Sequence, residues 1–340
     1  MPVPRWLLAL ALLAVSTGIH SGPLVIAHRG ASGYLPEHSL EAKALAHAMG
    51  ADFLEQDVVL SRDGVPVILH DIHLESTTDV EQRFPQRARE DGRFYALDFD
   101  LAELRSLRLH ERSHRDADGR ERAYYPGRFP LGQGSFRLPT LREEIELIDG
   151  LNRSTGRPAG LYIELKSPNW HTAQGYDIAT AVIAVLEETG YADRSQQVFL
   201  QCFDDLTLRR LREEFRTPLP LIQLIGENSW GEDSKVDYSW LQTDAGLAYI
   251  AGYADGIGPW IPQVVAVHDD GLLTPTGLAA RAHQHDLQVH PYTLRADDLP
   301  AGVSDLGSLH RALFTEAGVD GLFSDFPDLT VAFLRGAAQQ

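Results

Sequence analysis

Histidine, arginine and carboxylate side chains cluster early in this chain in a pattern that suits chemistry on a phosphodiester. His28 and Arg29 follow one apolar run, and Glu55 and Asp57 lie late in a second run. His70 follows a third. Carboxylates can hold a hard cation, an arginine can bind a phosphate oxygen, and histidines can transfer protons. These residue types together predict a site that handles a phosphate ester.

The spacing of the carboxylates indicates a metal site. Residues two apart on a β-strand share one face, which pairs Glu55 with Asp57 and Glu164 with Lys166. The all-oxygen set of Glu55, Asp57 and Glu164 favours Ca²⁺ or Mg²⁺ over zinc. Each pair alone is also typical of a solvated strand, so the prediction rests on their combination at strand ends. The remaining histidines that carry no such context are interpreted as surface or core residues: His38, His47, His110, His114, His171, His283 and His285.

Repeated alternation of short β-branched runs with helical patterns predicts the scaffold that positions these residues. Such alternation is typical of an α/β fold with a parallel sheet. Enzymes with a (β/α)₈ TIM barrel carry their sites at the carboxyl ends of the strands, where the residues above fall. Eight such strands, the number that closes the barrel, are predicted to start near residues 24, 53, 161, 198, 219, 256, 287 and 321.

A hairpin and an insertion interrupt this alternation after the second strand. Asp63 and Gly64 between two apolar runs predict a two-residue turn. That turn would place His70 opposite Asp57. Residues 79–137 are charged and rich in aromatic side chains, and we expect them to form an inserted subdomain over the barrel mouth.

Composition and the amino-terminal residues bound the location and the partners. Residues 1–20 combine Arg5, an apolar stretch and small residues, which predicts a signal peptide and a periplasmic or secreted protein; an uncleaved anchor is the alternative. Residues 21–340 would form the functional domain, with no integral membrane segment. A net charge of −18 argues against a nucleic-acid partner. A single cysteine, Cys202, excludes an intrachain disulfide.

A specific combination of motifs lies at residues 26–33, 36–39, 54–57, 67–71, 163–166, 290–293 and 320–328. On these motifs the chain resembles the secreted glycerophosphodiester phosphodiesterases over nearly its whole length after the leader. The resemblance implies a TIM barrel and a metal-dependent hydrolysis of small-molecule glycerophosphodiesters to an alcohol and sn-glycerol 3-phosphate. A phospholipase acting on intact lipid and a non-catalytic binding protein are the alternatives, and the oligomeric state is not predicted.

The resemblance also implies a role for each site residue. His28 and His70 would be the acid–base pair, in which one takes a proton from a glycerol hydroxyl and the other protonates the leaving alcohol. A cyclic phosphate would form and then be opened by water; which histidine acts first stays open. The cation, Ca²⁺ with Mg²⁺ as the alternative, would be held by Glu55, Asp57 and Glu164. The phosphate would contact Arg29 and Lys166. Four aromatic residues would wall the glycerol, with core packing as the alternative: Phe203, Trp260, Tyr292 and Phe323.

Overall fold

A computed structural model of the protein describes residues 22–337, and the leader predicted over residues 1–20 lies outside them. No helix of residues 22–337 is long and apolar enough to cross a membrane. The strands are β1 (Leu24–Ala27), β2 (Phe53–Leu60), β3 (Pro66–Ile68), β4 (Ser113–Arg115), β5 (Glu121–Ala123), β6 (Gly160–Leu165), β7 (Val198–Cys202), β8 (Leu221–Ile225), β9 (Gly256–Pro259), β10 (Val265–Val267), β11 (Leu273–Pro275), β12 (Gln288–Val289) and β13 (Gly321–Ser324).

Eight of these strands form the barrel that the sequence predicts. They run in parallel in the order β12-β9-β8-β7-β6-β2-β1-β13, and β3 pairs antiparallel with β2. Backbone hydrogen bonds from Asp320 to Val289 and from Phe323 to Pro291, each 3.0 Å, bring the two end strands together. Each parallel strand starts within two residues of its predicted position. The predicted (β/α)₈ architecture is therefore confirmed.

Several helices begin at side-chain caps that the sequence provides. Ser39 accepts a hydrogen bond from Ala42, and Gly50 ends the first helix at a φ of +100°. The helices are α1 (Leu40–Met49), α2 (Val80–Arg83), α3 (Leu101–Ser106), α4 (Leu141–Thr155), α5 (Pro168–Ala173), α6 (Ile178–Thr189), α7 (Asp205–Glu213), α8 (Tyr238–Leu241), α9 (Asp244–Ile250), α10 (Ile261–Val264), α11 (Leu278–His283), α12 (Leu306–His310) and α13 (Pro327–Ala337). Ala96–Asp98 and Asn228–Trp230 are 3₁₀ segments, and Arg311–Ala317 is a π segment.

Alternation along the barrel strands separates two apolar cores. One set of positions packs outward against the helices, as Ala27, Leu54 and Leu161 do. The other set points into the barrel and forms a separate cluster. Its members are Leu24, Ile26, Phe53, Tyr162, Phe199, Ile222 and Phe323. This inner cluster fills the barrel below the carboxyl ends of the strands and supports whatever lies above it.

The predicted two-residue turn between β2 and β3 is wrong. Val58 pairs with Ile68 and Leu60 pairs with Pro66, so Leu69, and not His70, lies opposite Asp57. The turn holds three residues, 62–64. The register therefore differs by one position from the predicted one.

The side chain of Ser61 explains the longer turn. Its hydroxyl donates to the Asp63 carboxylate at 2.7 Å and accepts from the Val65 amide at 3.0 Å. The Gly64 amide donates to the Ser61 carbonyl at 2.9 Å, and Gly64 has a φ of +77°. A three-residue hairpin loop that ends in a left-handed glycine has this geometry.

The insertion has an apolar cluster of its own and returns to the strand that it leaves. Val67 forms a bridge with Thr140, and the Ile68 amide donates to the Pro139 carbonyl at 2.9 Å. The β2–β3 hairpin supplies Val59, Val67 and Leu69, and the insertion with the residues that flank it supplies the remainder. Its buried members are Val59, Val67, Leu69, Leu74, Val80, Phe94, Ala96, Phe99, Leu104, Leu107, Leu109, Phe136 and Leu138.

Backbone conformation predicts that alanine has opposite effects on stability at two glycines, one in the β2–β3 turn and one inside α4. A Cβ at Gly64 meets no atom within 4 Å, so Gly64→Ala should cost only the left-handed backbone, about 1 kcal/mol of unfolding free energy. Gly150 lies inside α4 in open space, and Gly150→Ala should instead stabilise by about 0.5–1 kcal/mol. Urea unfolding of both variants measures this. A neutral or stabilising Gly64→Ala would contradict the turn.

Candidate active site

The predicted site residues meet around one cavity at the carboxyl ends of the barrel strands. The cavity measures about 300 Å³. Asp57, the one predicted residue outside its lining, is fully buried beside it. The ten predicted residues that line it are His28, Arg29, Glu55, His70, Glu164, Lys166, Phe203, Trp260, Tyr292 and Phe323.

Strand alternation explains why these residues share the cavity. His28 lies two positions beyond Ile26, and Glu55 lies two beyond Phe53, so both continue the inward-pointing set. The same step leads from Tyr162 to Glu164. The apolar inner cluster thus forms the floor of the cavity, and polar side chains occupy the next positions toward the mouth.

Each of the two histidines is held by an aspartate. His28 Nδ1 lies 2.6 Å from Asp325 Oδ1, and His70 Nδ1 lies 2.6 Å from Asp71 Oδ1. An ionised carboxylate only accepts hydrogen bonds, so both Nδ1 atoms carry the proton and Nε2 remains the basic atom. Burial, and then the charge of Arg29, lower the pKa of both rings to about 4. Both imidazoles are therefore neutral near pH 7 and able to accept a proton at Nε2.

Three carboxylates lie close together on β2 and β6. Asp57 and Glu164 are direct neighbours in the parallel register. Glu55, Asp57 and His38 each place a ligand atom within 4.8 Å of the others. The Glu164 carboxylate forms an ion pair with Lys166 at 2.6 Å. Glu55 and Asp57 therefore form the centre of the predicted metal site, and Glu164 borders it.

The charges of this cluster fit a divalent cation. Asp57 Oδ1 is buried and has no hydrogen-bond partner among residues 22–337. Burial, and then the neighbouring charge of Asp57, raise the pKa of Glu55 well above its usual range. Burial raises the pKa of Glu164 to about 8. A cation would supply the missing partner and favour ionisation of all three carboxylates, and their oxygens suit Ca²⁺ or Mg²⁺.

Arg29 is fixed by backbone geometry and by carboxylates. It has a φ of +59°, and its amide donates to Glu55 Oε2 at 2.6 Å. Its guanidinium donates to both oxygens of Glu37 at 3.0 and 3.1 Å. His38, at a φ of +63°, donates its amide to the Arg29 carbonyl. Two left-handed non-glycine residues at one site are typical of a functional constraint on the backbone.

The structure corrects one interpretation and adds residues that the sequence analysis missed. His38 is not a residue without site context, since its Nε2 lies 2.8 Å from Asp57 Oδ2. Its position in a left-handed loop left no periodic signal. Asp325 follows Phe323 by two positions, and this inward step could have identified it. Arg112 and Arg128 of the insertion carried no signal, because that segment has no regular period.

A fully buried lysine ties α1 to the metal-site strand. Lys43 Nζ lies 3.0 Å from Glu144 Oε2 and 3.4 Å from His38 Nδ1. It also donates to the backbone carbonyl of Glu55. Burial raises the pKa of Glu144 to about 7. Lys43 therefore stabilises Glu144 and fixes the strand at Glu55.

Comparison with known proteins gives a consistent family. The sequence profile of the glycerophosphoryl diester phosphodiesterase family matches residues 28–329. The chain is 41% identical to the glycerophosphodiester phosphodiesterase of Haemophilus influenzae over 94% of this chain and 92% of that one. It is 36% identical to the enzyme of the same name from Treponema pallidum over 96% of each chain. A crystal structure of a Silicibacter pomeroyi protein has a TM-score of 0.71 and 27% identity, covering 94% of this chain and 96% of that one.

The buried Lys43–Glu144 pair predicts a large loss of stability from a single substitution. Lys43→Met leaves Glu144 buried without its cation, which should cost about 3–5 kcal/mol of unfolding free energy. The raised pKa of Glu144 makes the loss greater above pH 7 than below it, because ionisation in the folded state becomes costlier. Denaturant unfolding of Lys43→Met and of Lys43→Met/Glu144→Gln tests this. A double variant no more stable than the single one would contradict it.

Proposed function

Since the chain belongs to the glycerophosphoryl diester phosphodiesterase family, we propose that it hydrolyses glycerophosphodiesters to an alcohol and sn-glycerol 3-phosphate with a divalent cation and two histidines. One observation carries the proposal. Two aspartate-held histidines, Arg29 and a buried carboxylate cluster all border a single cavity. This arrangement supports the assignment of a phosphate-binding group and two proton carriers to the same substrate.

The cationic side chains support one position for the phosphate. Arg29 and Lys166 both line the cavity, and Lys166 Nζ lies 3.4 Å from His70 Nε2. A phosphate between them would contact both cations and lie within reach of the His70 ring. Lys166 also touches Glu164, so it connects the phosphate position to the carboxylates.

The four aromatic residues differ in exposure. Phe323 is buried, Phe203 and Tyr292 are partly buried, and all three line one wall of the cavity, which suits the carbon side of the glycerol. Trp260 is 36% exposed at the rim and packs against Trp230 at 5.3 Å between ring centroids. We assign the wall formed by Phe203, Tyr292 and Phe323, together with Trp260, to substrate contact.

Proton transfer needs one neutral ring as the base and one cationic ring as the acid. One neutral histidine takes the proton of a glycerol hydroxyl at Nε2 while that oxygen attacks phosphorus. The bond from phosphorus to the leaving alcohol breaks, and the other histidine gives its Nε2 proton to the departing oxygen. That ring must be the cationic imidazolium, which the negative charge of the bound phosphodiester favours over the neutral ring of the empty site. Asp325 and Asp71 stabilise the cationic ring in turn. Water then opens the cyclic phosphate with the two roles reversed.

The carboxylate cluster supplies the remaining requirement. A divalent cation held by Glu55, Asp57 and Glu164 would stabilise negative charge on the phosphate and lower the pKa of the attacking hydroxyl. His38 keeps Asp57 in place through its 2.8 Å hydrogen bond. The amide of Arg29 does the same for Glu55 at 2.6 Å.

Removal of either histidine should abolish turnover without unfolding the protein. We expect His28→Ala and His70→Ala each to lower kcat by about 10²- to 10⁴-fold, because each removes a proton carrier. Release of sn-glycerol 3-phosphate from glycerophosphodiesters and from intact phospholipid measures this. His268→Ala, an exposed histidine in the β10–β11 hairpin, is the matched control. Near-normal turnover in either site variant would exclude that residue from the pair.

Chelation should stop the reaction and weaken the fold. We expect EDTA to abolish product release and to lower the melting temperature, and Ca²⁺ or Mg²⁺ to restore both, because a bound ion stabilises the native state. Glu55→Gln should lose the melting-temperature response, whereas Glu146→Gln on the exposed face of α4 should keep it. Activity that persists after exhaustive chelation, or full-occupancy zinc without calcium or magnesium, would contradict this assignment.

A further inference from the structure

An arginine of the insertion contacts the aspartate that holds His28. Arg128 Nη2 donates to Asp325 Oδ2 at 2.7 Å, while the other oxygen of Asp325 lies 2.6 Å from His28 Nδ1. The Arg128 guanidinium also forms a two-point contact with Asp297 at 2.8 and 2.9 Å. Only 4% of the Arg128 side chain is exposed. The guanidinium is therefore fixed on one side by Asp297 and on the other by the carboxylate that orients the histidine.

A second arginine of the insertion does the same for His70 and also for Arg29. Arg112 Nη1 donates to Asp71 Oδ2 at 2.8 Å, and the other oxygen of Asp71 contacts His70. Arg112 also donates to both oxygens of Glu37 at 2.7 and 2.9 Å. Glu37 in turn accepts from Arg29. Arg112 thus connects one histidine and the phosphate-binding arginine through two carboxylates.

These contacts fix the orientation of the carboxylates and of the histidine rings, and they also keep the carboxylates ionised. A carboxylate that hydrogen-bonds an imidazole fixes the ring only if the carboxylate itself is held. The planar guanidinium, with its forked donors, holds a carboxylate plane better than a lysine does. The charge of Arg112 also keeps the pKa of Asp71 well below its usual range against the effect of burial, so Asp71 remains an acceptor.

We propose that Arg112 and Arg128 are positioning residues and that docking of the insertion completes the catalytic centre by aligning His70, His28 and Arg29. The proposal rests on the proposed hydrolysis, in which both rings transfer protons. It assigns the insertion a function in the reaction itself.

The two arginines should differ in the size and kind of their effect. Asp325 retains a second cation when Arg128 is removed, since Arg295 of the barrel lies 3.1 Å from it. Without Arg112, the hydrogen-bond partners of the Asp71 carboxylate within residues 22–337 are its histidine and the Ser76 hydroxyl, at 3.0 Å. Arg112, unlike Arg128, also binds the Glu37 carboxylate that accepts from Arg29. Loss of Arg112 should therefore lower kcat further and also raise KM, whereas loss of Arg128 should lower kcat alone.

The experiment measures kcat, KM and melting temperature for the full-length protein and four variants, with a glycerophosphodiester as substrate. We expect Arg112→Ala to lower kcat by about 10- to 100-fold and Arg128→Ala to lower it less. Added free guanidinium should restore part of each loss. Arg112→Lys should fall between the alanine variant and the wild type, because it keeps the charge and loses the fork.

Arg89→Ala is the matched control. Arg89 forms a two-point ion pair with Asp98 within the insertion at 2.7 and 2.8 Å, and Asp98 is not one of the aspartates that hold the histidines. It should lower stability without changing kcat or responding to guanidinium.

Several outcomes would overturn the inference. Wild-type kcat in folded Arg112→Ala and Arg128→Ala contradicts it, as does an Arg89→Ala variant that loses kcat equally. If the alanine variants do not fold, wild-type kcat in Arg112→Lys contradicts it. If the wild-type protein releases no sn-glycerol 3-phosphate, the proposed hydrolysis is wrong, and the inference that rests on it is wrong as well. If the wild type is active and the variants are unaffected, only the inference is wrong.

Discussion

The closed barrel admits side chains to its interior only at every second strand position, and the site depends on this constraint. Below the mouth these positions are apolar, as Ile26, Phe53 and Tyr162 show. One step further along the same strands they become His28, Glu55 and Glu164. The packed floor excludes water beneath the polar layer, which strengthens every electrostatic interaction within it. The same alternation that builds the core therefore also concentrates the charged groups.

Concentration of charge makes compensation necessary. Glu55, Asp57 and Glu164 are buried together in a protein whose net charge is −18. The positive charges that oppose them come from different parts of the chain: Arg29 follows β1, Lys43 lies in α1, and Lys166 follows β6. Unpaired buried charge is costly, so each part of the fold must dock for the others to be stable. This requirement links the assembly of the site to the assembly of the barrel.

The barrel and most cavity residues were predictable because they obey local periodicity. Strand starts and the inward steps to Glu55 and Glu164 can be read from alternation alone. The length of the β2–β3 turn was not predictable, because the Ser61 hydroxyl stabilises a three-residue turn where the Asp-Gly pair indicates two residues. His38 depends on a left-handed loop. Contacts such as that of Arg112 with Asp71 join distant segments without any shared pattern. Export, predicted from residues 1–20, stays a prediction.

The bridge between Val67 and Thr140 has a consequence for how the chain folds. Together with the hydrogen bond from Ile68 to Pro139, it closes the insertion at its base beside β3. The entropy lost on closing a loop grows only with the logarithm of its length, so a doubling costs about 0.6 kcal/mol. The entropic cost of closing this long segment therefore exceeds that of a short connection between strands by only a small amount. The length of the insertion can thus change at little entropic cost to the eight strands, as long as the parts that carry Arg112 and Arg128 still dock on the barrel.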